Sequence, residues 1–271
     1  MDLVKPAEVF HFVKNKIVLG EKTIIANHNL HSLHLVNNNT EMQDFFAKAD
    51  LIEIDSLPLI FWARLIGRPS RSFHRCTYLD WRDEFWKMAT ENGWRVFFVG
   101  GREGVADSAR EAIQKTWPDT QLEVHHGFFD IDPSSLESHA LLEQIQAFKP
   151  HIILVGMGMP RQEAWIVRNY DALPTSVLFT VGGAFDYEAG VQVVCPRWIG
   201  QLGMEWLFRL ALNPRRLFGR YCIEPWRLIG PAVRDLRDVS ARVRGAVWRG
   251  LADRAASFLG QTTAKNQPQA S

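Results

Sequence analysis

The feature that most constrains this chain is a short apolar run that stops at glycine, repeated through its middle. RVFFV (residues 95–99) runs into Gly100-Gly101, residues 122–126 into Gly127, HIILV (residues 151–155) into Gly156, and residues 177–181 into Gly182-Gly183. Between these runs lie stretches with helical spacing, ending near Thr116, covering residues 136–148 and covering residues 160–170. Apolar strands alternating with helices predict a parallel sheet covered on both faces. Glycines at the carboxyl ends of strands mark the edge where such sheets receive ligands. Upstream, residues 22–28 and 51–54 read as strands. Residues 30–48 read as a helix that Asn37 to Asn39 can interrupt, residues 58–66 and 80–92 as helices, and 68–75 as a basic loop. The first twenty residues carry only a weak pattern. The fold class is α/β.

The chain has 271 residues, of which 46% are hydrophobic and 23% charged. That composition supports a large core and excludes a disordered, collagen-like or coiled-coil chain. No apolar run reaches the about 18–20 residues of a membrane-spanning helix. The segment around residues 57–66 comes nearest, but it is short and carries Arg64. Residues 1–10 lack the basic head and apolar stretch of a secretory signal. Cys76, Cys195 and Cys222 are too sparse for a disulfide framework or structural zinc site and suit a reducing cytosol.

A net charge of +1 hides an asymmetry: residues 1–195 hold 18 Lys and Arg against 25 Asp and Glu, and residues 196–254 hold 12 Arg against 5 acids. Trp198, Trp206, Trp226 and Trp248 also fall in the basic stretch. Arginine with tryptophan points to an anionic partner such as a membrane surface or a phosphate. Nucleic acid is the weaker choice, since the acidic body opposes a long polyanion and no nucleic-acid motif is present. Three regions follow: an α/β domain over 1–195, a basic, Trp-rich helical appendage over 196–259, and a disordered polar tail over 260–271. Within the appendage, residues 199–212 are amphipathic, Asn213-Pro214 is a break, and residues 231–259 carry apolar side chains at helical spacing.

Several motifs sit where chemistry is done. Gly100-Gly101-Arg102-Glu103-Gly104 joins a strand to a helix, where backbone N–H groups can hold a phosphate. It is neither a Walker A loop nor G-x-G-x-x-G. Gly156-Met157-Gly158-Met159-Pro160-Arg161 also fails the dinucleotide pattern, because Arg161 stands where the third glycine belongs. Either loop can equally be a tight turn. Asp55 ends a strand, a placement that suits a general base. Asp80 precedes a helix and reads either as a cap or as a substrate ligand, and Asp186 is equally ambiguous. Asp130-Ile131-Asp132 spells D-x-D, which can hold manganese or magnesium or simply build a turn. His28, His31 and His34 suggest zinc less than they suggest solvated or pocket-lining side chains. Arg209, Arg215, Arg216 and Arg220, interleaved with aromatic residues, offer guanidinium forks to a diphosphate.

Three stretches together resemble the WecG/TagA/CpsF family of bacterial glycosyltransferases, glycosyltransferase family 26. The first is Asn27-His28-Asn29 followed by ADLIEID at 49–55. The second is FFVGGREGVA at 97–106, with Lys149-Pro150-His151 leading to VGMGMPRQE at 155–163. The third is VGGAFD at 181–186, then Pro196-Arg197-Trp198, GMEWLFRL at 203–210 and Pro214-Arg215-Arg216-Leu217. The resemblance covers about residues 22–230.

It implies a Rossmann-like domain whose C-terminal appendage docks on the cytoplasmic face of the membrane and helps complete the active site. It implies inverting, metal-independent transfer from a UDP-sugar to a polyprenyl-diphosphate-linked saccharide, in cell-surface or exopolysaccharide synthesis. Asp55 takes the place of the family's base, with Ser56 where glycine is usual. Asn29 matches the asparagine of the family's Thr-Pro-Asn, and Asn27 replaces its threonine. Asp55 and Asn29 are thus the expected catalytic residues. Asn27, Asp80, Gly100, Gly101, Gly156, Gly158, Gln162 and Asp186 are expected to line the substrate pocket, with Arg209, Arg216 and Arg220 near the diphosphate. The alternatives are a metal site at Asp130 and Asp132, and a non-catalytic UDP-sugar-binding or scaffold protein of a polysaccharide machine. The donor sugar, the acceptor and the oligomeric state, a homo-oligomer included, stay open.

Overall fold

The computed structural model describes residues 1–201 and 203–237. The expected disordered tail and most of the helix expected over 231–259 lie outside the described residues. In chain order the elements begin with α1 (Pro6–Leu19), β1 (Thr23–His28), α2 (Leu30–Val36), α3 (Thr40–Lys48), β2 (Leu51–Ile54), α4 (Leu57–Leu65) and α5 (Tyr78–Glu91). They continue with β3 (Arg95–Gly100), α6 (Val105–Thr116), β4 (Gln121–His125), α7 (Leu136–Phe148), β5 (Ile152–Gly156), α8 (Arg161–Asn169) and β6 (Val177–Thr180). The C-terminal part comprises α9 (Ala184–Glu188), α10 (Arg197–Gln201), α11 (Glu205–Leu212), α12 (Pro214–Phe218), a π-helical turn at Gly219–Ile223, and α13 (Glu224–Arg227).

The six strands form one sheet in the order β2-β1-β6-β5-β3-β4, and every pairing is parallel. Successive side chains of a strand point to opposite faces, and the core divides accordingly. Ile25, Leu51, Val96, Phe98, Leu154 and Phe179 pack under α1, α5, α6 and α9, against Phe10, Trp81, Phe85, Ala109 and Phe185. Ile24, Ala26, Phe97, Val99, Ile153 and Leu178 pack under α3, α7 and α8, against Phe45, Leu141, Ile145 and Trp165. This three-layer Rossmann-like arrangement is the expected one.

Three local differences have physical causes. The weakly patterned N-terminus is a full helix: Pro6 opens α1, the Glu8 carboxylate accepts from the Lys5 N–H at 2.8 Å, and Gly20 closes it at φ +64°. Its apolar stripe is only Val9, Phe10 and Val13, too narrow to stand out in sequence. The Asn37–Asn39 punctuation splits the expected helix over 30–48 in two, because the Asn39 side chain caps α3 by accepting from the Met42 N–H. The amphipathic stretch 199–212 likewise divides into α10 and α11, where Gly203 takes φ +76°.

The edge at β2 is covered. Asp2 exchanges backbone and side-chain hydrogen bonds with Ile52, and Arg75 bridges in parallel to Ile54. That bridge carries the basic loop past the carboxyl end of β2.

Candidate active site

The chain leaves β3 toward β4 and leaves β5 toward β6, so the connections diverge between the paired strands β3 and β5. Such a switch point opens a crevice at the carboxyl edge of the sheet. Gly100 and Gly156 are register partners there. A Cβ on Gly100 would strike the Gly156 carbonyl, and one on Gly156 would strike that of Gly182. These glycines therefore permit a close backbone approach, and the loops beyond them carry Gly101 at φ +71° and Gly158 at φ +78°.

Gln162, in the first turn of α8, is buried and accepts from the Gly158 N–H at 3.2 Å, which fixes that loop. Its amide donates at 2.7 Å to Glu163 Oε1, while Glu163 Oε2 is buried without a partner. Burial pushes the Glu163 carboxyl up to about 7. Asp186, in α9, has its carboxylate beside Gly183. Burial raises its pKa, and the Arg216 and Arg102 guanidiniums oppose the rise. Asp186 thus lies within electrostatic reach of Arg216 and of Arg102, the residue after Gly101.

Asp55 follows β2 directly, its N–H donating to the His28 carbonyl at 2.9 Å. Burial raises its pKa, while Arg209, Arg75 and Arg220 favour its charged form and Glu205 opposes it. Arg209 extends from α11 over the Tyr187 ring, 5.6 Å from its centre. Arg220 acts on Asp55, His31 and Glu163 together. A 2.6 Å contact between His31 Nδ1 and Glu224 Oε2 seats α13 on α2. The appendage therefore lies along the carboxyl edge and delivers Arg209 and Arg220 to Asp55 and Arg216 to Asp186. Ser56 adopts φ −108°, a conformation open to any residue, so serine there brings no strain.

The remaining expected residues have local tasks. Asn29 caps α2: its side-chain oxygen accepts from the Ser32 N–H at 3.0 Å, and its own N–H donates to Ser32 Oγ at 2.8 Å. Asn27 is the register partner of Glu53 on β2, and its side chain hydrogen-bonds the buried Glu53 carboxyl. Asp80 stands exposed in the first turn of α5, where it accepts from Thr77 Oγ1 at 2.8 Å.

Asp130 and Asp132 build a turn. Asp130 Oδ1 accepts from the Asp132 N–H at 3.0 Å, and Asp132 Oδ1 accepts from Ser134 N and Oγ at 2.9 and 2.6 Å. Ser134 thereby holds the exposed Asp132 below the usual carboxylate range. One oxygen of each carboxylate is thus engaged in holding the turn. Of the triplet of histidines, His28 is buried against Ser32 Oγ at 2.7 Å and stacked on Phe46, and His31 is engaged with Glu224. Among the described residues no group of three His, Cys, Asp or Glu side chains could hold a metal ion.

Sequence reasoning missed Arg75, Glu205, Glu163, Glu53 and Tyr187 as members of this site. Glu163 and Glu205 lie inside the quoted motifs, next to Gln162 and four residues before Arg209, and that spacing was the available signal. Arg75 sat in a loop that looked merely basic.

Comparison with known proteins agrees with the architecture. A family described as the glycosyl transferase WecG/TagA/CpsF family matches residues 1–242. N-acetylglucosaminyldiphosphoundecaprenol N-acetyl-beta-D-mannosaminyltransferases from Staphylococcus aureus strains NCTC 8325 / PS 47, COL and MRSA252 are each 29% identical to this chain over 212 residues, covering 74% of it and 81% of the relative. With its parallel sheet, its glycine crevice and the family match across most of its length, this chain belongs to the WecG/TagA/CpsF family of glycosyltransferases.

Proposed function

We propose that this glycosyltransferase moves a sugar from a UDP-sugar to a lipid-diphosphate-linked saccharide with inversion and without a metal, on the cytoplasmic face of the membrane. The observation that carries this reading is Asp55, a half-buried carboxylate at a strand end with Arg75, Arg209 and Arg220 acting on it. One carboxylate suffices for direct inverting transfer, because a single base must take the acceptor hydroxyl proton. The acceptor oxygen bonds to the anomeric carbon, and the bond to the diphosphate breaks with its electron pair on the leaving oxygen. Arginines at that position stabilise the developing charge electrostatically. The relatives' name supports an N-acetylmannosamine donor and an N-acetylglucosaminyl-diphospholipid acceptor. Gly100, Gly101, Gly156, Gly158, Gln162 and Asp186 form the nucleotide side of the crevice in this reading.

A lipid-linked acceptor requires access to a bilayer. The appendage exposes Trp198 (64%), Phe218 (55%) and Trp226 (71%) beside exposed Arg215, Arg216 and Arg227. Aromatic and basic side chains together suit an anionic interface. Among the described residues no helix is long and apolar enough to cross a membrane.

The test is transfer from UDP-N-acetylmannosamine to a short-chain lipid-diphosphate acceptor by the full-length chain in anionic nanodiscs. Asp55→Asn is expected to lower kcat by about 10²–10⁴-fold, and EDTA to leave the wild-type rate unchanged. Full activity of the Asn variant defeats the base assignment, and loss of activity in EDTA defeats metal independence.

A further inference from the structure

Between Asp55 and the appendage lies a cluster that the base assignment does not use. Glu205 opens α11 and bridges two arginines far apart in sequence. Its Oε2 lies 2.6 Å from Arg75 Nη2, in the loop beside β2, and its Oε1 lies 2.9 Å from Arg209 Nη2, one turn along α11. Arg75 Nη1 also donates to the Gly200 carbonyl at 3.3 Å. One donor on each guanidinium, Arg75 Nε and Arg209 Nε, is buried with no partner. A buried N–H without a partner is costly, and two on neighbouring cations call for an anion. Both arginines also act on Asp55.

We propose that Glu205 is a positioning residue: by bridging Arg75 of the body to Arg209 of the appendage, it sets the two guanidiniums as one seat for the leaving diphosphate. The inference rests on the reading of Asp55 as the base. Two arginines, Glu205 and an ionised Asp55 sum to zero charge. When Asp55 takes the acceptor proton the four groups become +1, as the diphosphate oxygen takes the electron pair of the broken glycosidic bond. Glu205 thus keeps the cations from overwhelming the base in the resting site while fixing their geometry for the departing anion. It also makes the seat conditional on docking, since half of it is brought by the appendage.

Asp55 is faced by Arg75, Arg209 and Arg220, by Glu205, by Glu53 of β2, by Cys76 next to Arg75 and by Tyr187 from α9. Removing the negative charge of Glu205 leaves the cations less opposed, so the Asp55 pKa falls and the acid limb of kcat/KM moves to lower pH. A part that only glued the appendage down would lower activity without moving that limb.

The experiment compares Glu205→Gln, Glu205→Asp and Glu224→Gln in the full-length chain in nanodiscs. Glu224 serves as the control because it ties the appendage to the body at His31 and is not among the charges acting on Asp55. Thermal melting of each variant monitors folding. UDP is the calorimetric probe, so the seat is read even where turnover is absent. Glu205→Gln is expected to weaken UDP about tenfold or more, to lower kcat and to move the acid limb down. Glu205→Asp restores part of both, whereas Glu224→Gln, which loosens docking without removing a charge that acts on Asp55, leaves the limb in place. Unchanged or tighter UDP binding in Glu205→Gln overturns the proposal, as does an unmoved acid limb or an equal shift of the limb in Glu224→Gln. Failure of the base reading shows separately, as full activity of Asp55→Asn with the UDP result intact.

Discussion

Glu53 shows how a single residue departs from what its neighbours prepare. It lies on β2 two positions before Asp55, on the face where Leu51 joins the apolar core, and it is 3% exposed. Burial, reinforced by the charge of Asp55, pushes its carboxyl up to about 8, against the Asn27 hydrogen bond. The folded chain therefore holds a proton on Glu53 that the unfolded chain loses above its ordinary carboxylate range. Stability from this group is complete at low pH and drains away as pH rises from about 4.5 toward 8. Glu53→Gln keeps the shape without the ionisation. The variant is expected to match the wild type in urea melts at pH 4.5 and to exceed it at pH 8 by on the order of 4 kcal/mol. Equal stability at both pH values means that Glu53 is solvated and ionises normally.

Among the elements, the strand–glycine–helix repeat was legible because β3, β5 and β6 are buried on both faces and β3 and β5 end at glycines where a Cβ would strike backbone. Leu51–Ile54 and Leu136–Phe148 fall where their apolar runs and flanking turn residues place them. Helix α1 was not legible, since three buried side chains among lysines make no clear period. The site was half legible. Asp55, the crevice glycines, Gln162, Asp186 and the appendage arginines stand at motif positions, whereas Arg75 and Glu205 meet across 130 residues of chain. No local spacing encodes that contact.

Asn29 illustrates the difference between a motif position and its task. Its carbonyl oxygen caps a helix of 7 residues, too short to be stable without tertiary support. Asn29→Ala is expected to cost about 1 kcal/mol in urea melts, while Asn29→Asp, also a good cap, stays within a few tenths. An Ala variant as stable as the wild type removes the capping role and leaves the side chain to the substrate.

At the scale of the whole molecule, an acidic body and a cationic appendage share one chain, and the appendage contributes to two surfaces. Its inner side carries Arg209 and Arg220 to Asp55, and its outer side exposes Trp198, Trp226, Arg215 and Arg227. In the proposed function, membrane binding and site completion depend on the same segment, and they separate by mutation only on the outer side. Each basic residue near an anionic surface contributes roughly 1 kcal/mol, so replacing Arg215 and Arg227 by Gln removes about 2 kcal/mol, or about 30-fold in partition to vesicles of anionic lipid. UDP affinity in calorimetry is expected to stay unchanged, because neither side chain faces Asp55 or Asp186. The tryptophans hold through apolar contact, so raising salt from about 0.1 to 1 M, which shortens the screening length from about 10 to 3 Å, weakens the wild type more than the double variant. Partition that ignores both the arginines and the salt shows that charge does not hold this face to the membrane, and leaves Trp198, Trp226 and Phe218 as its anchors.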